Sequence, residues 1–514
     1  CITGLWSTNI YSMNRMKNLF WMAALVLFAA FSSCSDDKND GTDEGIEAKL
    51  LTFGFYAEDN SSILSEDYIA TLSSTAAKVT MPAFIDKSAL VARFTTNDGN
   101  IVLVDGVTQV SGTTANDFTA PVDYIVSNGK QNVKYTVTIT KSSNMAWVAI
   151  PKFADAEIYG GGKVLKLSPT NNIPYLAFKH RKSATEDNKI AVVKFEDGAW
   201  KAVGPLAGFS DGEVASSYLD LDFGAAGIPY VAFSDNSVVA ENGAVKGAAS
   251  IMKWSGTTWE YVGNKGFIAA QSQNLHMVIL NDMPMVLQKN NKAGVYARRE
   301  MIVSTYNNSW TNGAITSAGA GYTIADCDLA KAGNNAYAIA ISATNSMYSV
   351  HKYSNGQWEA LLPESLESGA THTYSTGAKI TVSENGVVYT LTGDDATTAG
   401  VYQERLKKYD PETKVWSTVG GNPLPLGFNL STSSSIAVAI APDGTPFVAY
   451  RDQGDQDYPK VIYLDNETKQ WSDPVKLADV ASDDIDIVFS STGVGYISFV
   501  DSDNHVAVYK YIEK

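Results

Sequence analysis

The sequence predicts an all-β chain in which a small Ig-like β-sandwich precedes a seven-bladed β-propeller, closed by pairing of the propeller's N- and C-terminal strands. Three observations favour this fold class. The composition, with 40 Gly, 26 Tyr and only 18% charged residues among 514, is typical of a globular chain rich in strands. Seven of the ten tryptophans recur at intervals of 48 to 59 residues. Short alternating apolar segments between turn residues fill the intervals, as in antiparallel sheets.

The tryptophan repeat assigns residues 142–514 to the propeller. Each Trp follows a tight turn, and the strand before that turn usually ends in Lys plus an aromatic residue, as in Lys194-Phe195 and Lys253-Trp254. Two further apolar segments lie upstream in each interval. Four short antiparallel strands about every 54 residues are typical of a propeller blade. The repeating residues are Trp147, Trp200, Trp259, Trp310, Trp358, Trp416 and Trp471.

The two ends of the repeat complement each other. Segment 146–151 carries the first Trp but has no strands before it in its interval, whereas the last interval ends at Tyr511 with three strands and no Trp. We expect the first segment to supply the outer strand of the last blade. Seven blades would then form a ring that leaves no edge strand open.

The run PYVAFSD, followed by SIMKWSGTTWEYVG, resembles the propeller repeats of uncharacterised Bacteroidetes surface lipoproteins. This resemblance covers about residues 142–514, and it implies an architecture rather than an activity.

Residues 48–141 lack the repeat and contain about six alternating strands, which favours a small Ig-like β-sandwich. Their SGTTANDFTAPVDYIV core is similar to the DUF5018-like module of Bacteroides lipoproteins. We interpret this module as a spacer that lifts the propeller off a membrane, with adhesion as the alternative.

The N-terminus is typical of a signal peptide. A basic segment from Arg15 to Lys17 precedes the apolar run 19–31, which is shorter than the roughly 20 residues that a membrane-spanning helix needs. Because the chain opens with Cys1, we expect the true start at Met13 or Met16. Residues 1–33 are then upstream residues and a lipoprotein signal peptide.

The run FSSC, ending at Cys34, resembles the lipobox of bacterial lipoproteins, and the following SDDKND resembles the surface-export signal of Bacteroides-type bacteria. The resemblance implies a lipidated Cys34 and an acidic tether over 34–47, with the protein anchored in the outer membrane and facing the cell exterior. Ordinary secretion, with Cys34 as a plain thiol, is the alternative.

Several chemistries are disfavoured. The net charge of −16 argues against a nucleic-acid groove, because phosphate binding needs clustered cations. The five histidines show no zinc-binding spacing, and Cys327 is the only thiol besides Cys1 and Cys34, so we predict no cofactor, no metal and no disulfide.

Calcium at the acidic loops 451–459 and 482–486 is an alternative to plain solvated charge. A G-x-S-x-G run at 208–212 lacks the strand-to-helix context of a hydrolase, and we interpret it as packing between blades.

Propeller geometry predicts where a ligand would bind. Loops that join the second strand to the third, and one blade to the next, gather on one face, and in this sequence they are long and polar. We call this face the long-loop face and predict ligand contacts there, with Tyr296 and Tyr402 as platforms for sugar rings. The candidates are His180, Arg181, Asp235, Tyr296, Arg298, Asp394, Tyr402, Arg451, Asp452, Asp501 and His505.

The predicted function is that of a monomeric cell-surface lipoprotein that binds an extracellular glycan or protein without chemistry. One alternative is a carbohydrate-active hydrolase or lyase whose acid and base are Asp235, Asp452 and Asp501 at the channel mouth. Another is a structural scaffold of an outer-membrane complex, which predicts an exposed apolar patch on a blade rim.

Overall fold

The computed structural model describes residues 46–142, 144–153, 158–180, 188–212, 214–238, 245–374, 377–429 and 435–513. The regular structure of these residues is all β-strand, so the all-β prediction is confirmed. No helix long and apolar enough to span a membrane occurs among them. The predicted signal peptide, Cys34 and most of the tether lie outside the described residues. Ala48–Lys514 forms one compact unit.

The N-terminal module has eleven strands in three sheets, ordered β2-β1-β6, β3-β4-β11-β10-β7-β8 and β5-β9. All pairs are antiparallel except β4 with β11. The larger two sheets share one core, in which the Phe53 ring meets Phe55 and Tyr124 edge-on at 5.5 and 5.1 Å. The strands are β1 (Leu50–Phe55), β2 (Tyr68–Ile69), β3 (Thr71–Leu72), β4 (Ala76–Met81), β5 (Leu90–Val91), β6 (Arg93–Thr96), β7 (Ile101–Val104), β8 (Val107–Thr108), β9 (Ala115–Asn116), β10 (Val122–Ser127) and β11 (Asn132–Lys141).

The rest of the described chain forms seven four-stranded antiparallel sheets, numbered here in chain order. Sheets 1 to 3 comprise β13 (Ile158–Leu167), β14 (Pro174–His180), β15 (Lys189–Glu196), β16 (Ala199–Ala202); β17 (Val214–Phe223), β18 (Pro229–Asp235), β19 (Ala248–Trp254), β20 (Trp259–Tyr261); and β21 (Ser272–Leu280), β22 (Met283–Asn290), β23 (Met301–Tyr306), β24 (Trp310–Gly313). Sheets 4 and 5 comprise β25 (Ile324–Ala332), β26 (Asn335–Ser342), β27 (Tyr348–Ser354), β28 (Gln357–Ser365); and β29 (Lys379–Val382), β30 (Val388–Thr398), β31 (Val401–Asp410), β32 (Val415–Thr418). Sheets 6 and 7 comprise β33 (Ile436–Ile440), β34 (Pro446–Asp452), β35 (Tyr458–Tyr463), β36 (Val475–Lys476); and β37 (Ser482–Phe489), β38 (Gly495–Asp501), β39 (Val506–Glu513), β12 (Met145–Ala149).

The sheets follow one another in a propeller-like arrangement. The first strand of each sheet contacts the first strand of the next, and β37 of sheet 7 contacts β13 of sheet 1. The fourth strand of sheet 7 comes from the beginning of the repeat: β12 pairs antiparallel with β39, with Trp147 opposite Tyr511. Both termini of the repeat therefore lie in one sheet.

The recurring tryptophans connect consecutive sheets. The Trp259 indole N–H donates to the main-chain oxygen of Val203 in the preceding sheet at 2.8 Å, and Trp310 donates to Val262 at 2.9 Å. The same bond recurs from Trp200 to Pro151, from Trp416 to Leu361 and from Trp471 to Gly420. The repeat in the sequence thus reflects a repeated indole-to-carbonyl bond across neighbouring sheets.

Aspartates on three first strands make a second set of links between sheets. The Asp222 carboxylate accepts the main-chain N–H of Ile279 at 2.6 Å, which joins sheet 2 to sheet 3. Equivalent bonds run from Ile380 to Asp328 and from Leu165 to Asp486. Each aspartate belongs to an Asp-x-Asp run, whose carboxylates reach the next sheet because alternate residues of a strand share a side.

The module packs against one end of sheets 6 and 7. Phe84 is buried, and its ring lies 4.8 Å from that of Phe447 and 5.7 Å from that of Tyr463. Lys141 forms an ion pair with Glu467 at 2.9 Å. These contacts lie at the end that carries the loops between first and second strands and between third and fourth strands. We call this end the short-loop face.

Candidate functional site

Four predicted aspartates occupy one repeated position toward the long-loop end of a second strand: three are the last residue of their strand, and Asp394 lies four residues before the end of β30. Each is 0% to 8% exposed and accepts the main-chain N–H of the residue two positions later at 2.9 to 3.0 Å. This is the Asx-turn geometry that aspartate favours. They are Asp235, Asp394, Asp452 and Asp501.

Neighbouring side chains also bind these carboxylates. The donors and distances are Ser250 to Asp235 at 2.9 Å, Arg405 to Asp394 at 2.6 Å, Lys460 to Asp452 at 2.7 Å and Lys152 to Asp501 at 2.8 Å. The carboxylates therefore satisfy loop hydrogen bonds and local ion pairs.

The Asp501 carboxylate is held toward its charged form. Burial alone would raise the pKa of Asp501, but hydrogen bonds from Lys152 and from the main chain of His505 and Asp503 lower it below its ordinary value. A general acid in glycoside hydrolysis needs the opposite shift.

The remaining candidates differ in exposure. His180 is buried at the end of β14, and Arg181 lies outside the described residues. Arg451 is also buried, with Nη1 3.4 Å from an Asp483 oxygen. Because a buried side chain offers little surface to a ligand, His180 and Arg451 are better placed to support the loops than to touch a ligand.

Arg298 is exposed in the loop after β22, and Tyr296 in the same loop is half-buried against the core between sheets 2 and 3. His505 is 38% exposed, with Nδ1 3.8 Å from the Asp501 carboxylate. These three side chains remain accessible at the long-loop face.

Asp501, Asp503 and His505 are a group of three metal-type ligands, with ligand atoms within 4.8 Å of one another. The Lys152 ammonium forms an ion pair with Asp501 at 2.8 Å, so a metal cation at this group would have to compete with Lys152.

Tyr402 lies in a cluster that the sequence analysis missed. Its ring centre is 5.1 Å from that of Tyr374, at an interplanar angle of 47°. Tyr374 belongs to the connection between sheets 4 and 5. The main-chain N–H of Tyr374 donates to the main-chain oxygen of Gly393 on β30. The two tyrosines therefore meet at the long-loop end of sheet 5.

A fixed carboxylate lies beside the tyrosine pair. Asp395 accepts the main-chain N–H groups of Thr371 at 2.7 Å, His372 at 3.0 Å and Gly400 at 3.1 Å. Burial alone would raise its pKa, but a hydrogen bond from the Thr371 hydroxyl and these main-chain bonds lower the pKa of Asp395 below its usual range. Burial, and then the charge of Asp395, raise the pKa of Tyr402, because that ring lies near the carboxylate.

His372 completes the group. It is 55% exposed, and its Nδ1 lies 3.5 Å from the Asp395 carboxylate. We call Thr371, His372, Tyr374, Asp395 and Tyr402 the tyrosine site. Half-buried aromatic rings beside fixed polar groups can bind a ligand that has both flat apolar faces and hydroxyl groups.

The G-x-S-x-G run at 208–212 is a packing element, as predicted. The Phe209 ring stacks on Trp259 with 4.2 Å between centres, and the Ser210 hydroxyl donates to the oxygen of Gly212 at 3.0 Å. Cys327 is buried in β25, and burial raises its pKa well above the ordinary value, so it is an inert thiol.

A channel of about 1730 Å³ runs between the first strands of the sheets. Its walls carry ion pairs, including Lys163 with Asp486 at 3.0 Å and Lys331 with Asp222 at 2.6 Å. Module segments 61–63 and 85–88 line its short-loop end together with the propeller-like part.

Solved structures resemble the chain only distantly. A protein of unknown function from Dyadobacter fermentans is 12% identical, with 60% of this chain and 97% of that chain covered at a TM-score of 0.40. The intramolecular trans-sialidase from Ruminococcus gnavus is 10% identical, with coverages of 70% and 96% and a TM-score of 0.37. A PL25 ulvan lyase is 12% identical, with coverages of 71% and 96% and a TM-score of 0.44. Likeness at these values carries no argument about activity. No curated protein matches the sequence.

One family model matches part of the chain. Residues 61–139 match the family described as "SGBP, N-terminal", which is a surface glycan-binding family. The match falls within the module and does not include the seven sheets, and the DUF5018-like resemblance stays a prediction. The N-terminal module is thus similar to the N-terminal region of SGBP proteins.

Proposed function

We propose that the chain is a non-catalytic cell-surface protein that binds an extracellular glycan through the long-loop face of a seven-bladed β-propeller. The match of residues 61–139 to a surface glycan-binding family carries this proposal. Lipid on Cys34 would anchor the protein in the outer membrane, and an Ig-like module would hold the propeller.

Seven blades are supported by the seven four-stranded sheets and by their cyclic order of contacts. Pairing of β12 with β39 supports closure of the ring by its own ends. Because the module packs on the short-loop face, it leaves the long-loop face uncovered.

The tyrosine site is the best candidate for glycan contact on that face. Sugar rings have apolar faces that pack on aromatic rings, and their hydroxyls need fixed partners. Tyr402 and Tyr374 offer the rings, and the exposed His372 offers a hydrogen-bonding group beside them, held next to the buried Asp395. Tyr296, Arg298 and His505 are further contacts that an extended glycan could reach.

The enzyme alternative is weaker, because Asp235, Asp452 and Asp501 hold the same structural role in three sheets. The scaffold alternative is weaker too. In the described parts of the seven sheets and their loops, the exposed large apolar side chains are scattered single residues, which need no partner. They are Ile228, Met283, Val295, Val415 and Val475.

Affinity electrophoresis of the purified protein in gels containing neutral or acidic polysaccharides tests the proposal. Tyr402→Ala should weaken retention by a binding polysaccharide at least tenfold, because stacking and its fixed neighbours act together. Tyr409→Ala is a matched control: Tyr409 contacts Trp416 at 5.3 Å and 44° at the other end of the same sheet. Retention by no polysaccharide, or equal retention of Tyr402→Ala and the unaltered protein, would contradict the proposal.

A further inference from the structure

The channel mouth at the short-loop face is built by two parts of the chain. Segments 61–63 and 85–88 of the module contribute to its lining together with loop residues of the seven sheets, including Thr170, Glu384 and Asp443. We call this space the composite cleft. Neither part forms it alone.

The composite cleft is preformed. Asn60 holds the first module segment, because its side chain donates to the oxygen of Val91 at 2.9 Å and accepts the N–H of Val91 at 2.8 Å. The main-chain oxygen of Asn60 accepts the N–H of Ile63 at 2.8 Å. Phe84, next to the second segment, is buried among aromatic rings of sheets 6 and 7. A ligand would therefore meet an ordered site at little cost in ordering.

The mouth offers hydrogen-bonding groups beside an apolar side chain. Within the described chain, the exposed Ser61 and Ser62 hydroxyls make no hydrogen bond, and Ile63 is half-buried next to them. The channel onto which the composite cleft opens has a volume of about 1730 Å³, above the roughly 300 to 1000 Å³ of a site for a drug-sized molecule.

Charge restricts the class of ligand. Among the lining residues at the mouth, Asp86, Glu384 and Asp443 are acidic and Lys87 is basic, and the channel behind them carries more aspartates than lysines. Sulfated or uronate-rich chains would be repelled by the excess of carboxylates, whereas an uncharged glycan would not.

We propose that the composite cleft is a second glycan-binding site, selective for neutral oligosaccharides and formed jointly by the module and the propeller-like part. The glycan class rests on the proposed function. The match to the SGBP family spans both module segments that line the cleft.

Isothermal titration calorimetry on the full chain tests this proposal. The panel of neutral oligosaccharides is maltoheptaose, cellohexaose, xylohexaose and mannohexaose, and oligogalacturonate is the anionic comparison. Ser62→Trp and Glu384→Trp each place an indole in the cleft, one from the module and one from the propeller-like part. Both residues are exposed, so the folds of the variants should survive. Ser74→Trp, an exposed serine of the same module outside the lining, is the matched control.

The expected result is two bound neutral oligosaccharides per chain, falling to one in Ser62→Trp and in Glu384→Trp but not in Ser74→Trp. Tyr402→Ala should remove the other site. Unchanged stoichiometry and affinity in both cleft variants would overturn the composite cleft and leave the long-loop site standing. Loss of binding in the cleft variants with no effect of Tyr402→Ala would support the composite cleft and contradict the long-loop site. Tighter binding of oligogalacturonate at the cleft would also overturn the proposal, and no binding by the panel would count against both sites.

Discussion

Glu404 on β31 is a buried carboxyl group without a hydrogen-bond partner. It is 2% exposed, and both of its oxygens are unbonded within the described structure. Burial, with a smaller effect of Asp394, raises its pKa from 4.5 to about 8, and Lys379 opposes the shift. Glu404 is therefore largely protonated at neutral pH in the folded protein and ionised in the unfolded chain.

This difference makes stability depend on pH. Because the folded pKa lies above the unfolded pKa, the stabilisation is complete below about pH 4.5 and is lost as pH rises through about 8. The slope is at most about 1.4 kcal/mol per pH unit. Glu404→Gln should flatten the decline in the free energy of unfolding between pH 5 and pH 8, measured by urea denaturation. Glu412→Gln, an exposed control on the same sheet, should keep the slope, and equal slopes in all three proteins would refute the assignment.

The sequence located the strand-end residues but not their role. An aspartate that follows an apolar strand has the same sequence pattern whether it binds a ligand or closes an Asx turn. Only the hydrogen bonds of its carboxylate in the structure distinguish the two roles. The repeated position of Asp235, Asp452 and Asp501 was the available signal for a structural role. Tyr374 was missed because it meets Tyr402 only through pairing of a loop with β30.

At the scale of elements, each outer strand fits the indole of the next sheet. Gly263 follows β20 with φ of 70°, and a Cβ atom there would lie 2.8 Å from Nε1 of Trp310. Glycine is therefore required both by backbone conformation and by the close approach of the ring.

Gly263→Ala should destabilise the protein by roughly 2 to 5 kcal/mol, as the sum of a left-handed backbone cost and an overpacking cost. Gly256→Ala separates the two costs, since Gly256 has φ of 99° but no atom within 4 Å of a Cβ. That control should lose only about 1 to 2 kcal/mol. Thermal and urea denaturation measure both, and equal losses would mean that the indole does not fix this position.

The four-strand unit was predictable because its Trp, its Lys-aromatic pair and its turns are all local in sequence. Sheet 6 departs from the pattern. Trp471 forms an isolated bridge with Leu464, and the fourth strand is only Val475–Lys476. Pro474 lies between them and cannot donate a main-chain hydrogen bond to β35.

For the whole molecule, the pairing of β12 with β39 joins residues at the two ends of the repeat. Ile150 donates its N–H to the oxygen of Val508 at 3.0 Å. Hydrogen-bonded positions alternate along an antiparallel pair. The N–H of Val148 therefore points toward Lys510 of β39, whereas the N–H of Ala149 points away from β39.

Val148→Pro should weaken this closure, because proline removes that donor. Losing about 1 kcal/mol of hydrogen bonding predicts amide exchange about fivefold faster over residues 506–513, measured by mass spectrometry. Ala149→Pro carries the same backbone restriction without the lost bond and should change exchange less. Equal exchange in the two variants would show that the ends do not hold each other.

The position of the module could not be predicted from sequence. Phe84 reads as one more apolar residue of the module, and its contacts with Phe447 and Tyr463 depend on how distant parts of the chain pack. The composite cleft was missed for the same reason, whereas the long-loop face followed from loop length and polarity alone.

We propose that the protein holds an extracellular glycan without cleaving it. The decisive measurement incubates the purified protein with each glycan that it retains and follows the glycan's chain-length distribution by mass spectrometry alongside a binding isotherm. We expect saturable binding with an unchanged length distribution over prolonged incubation. Progressive shortening of the chains, or the absence of any retained glycan, would contradict it.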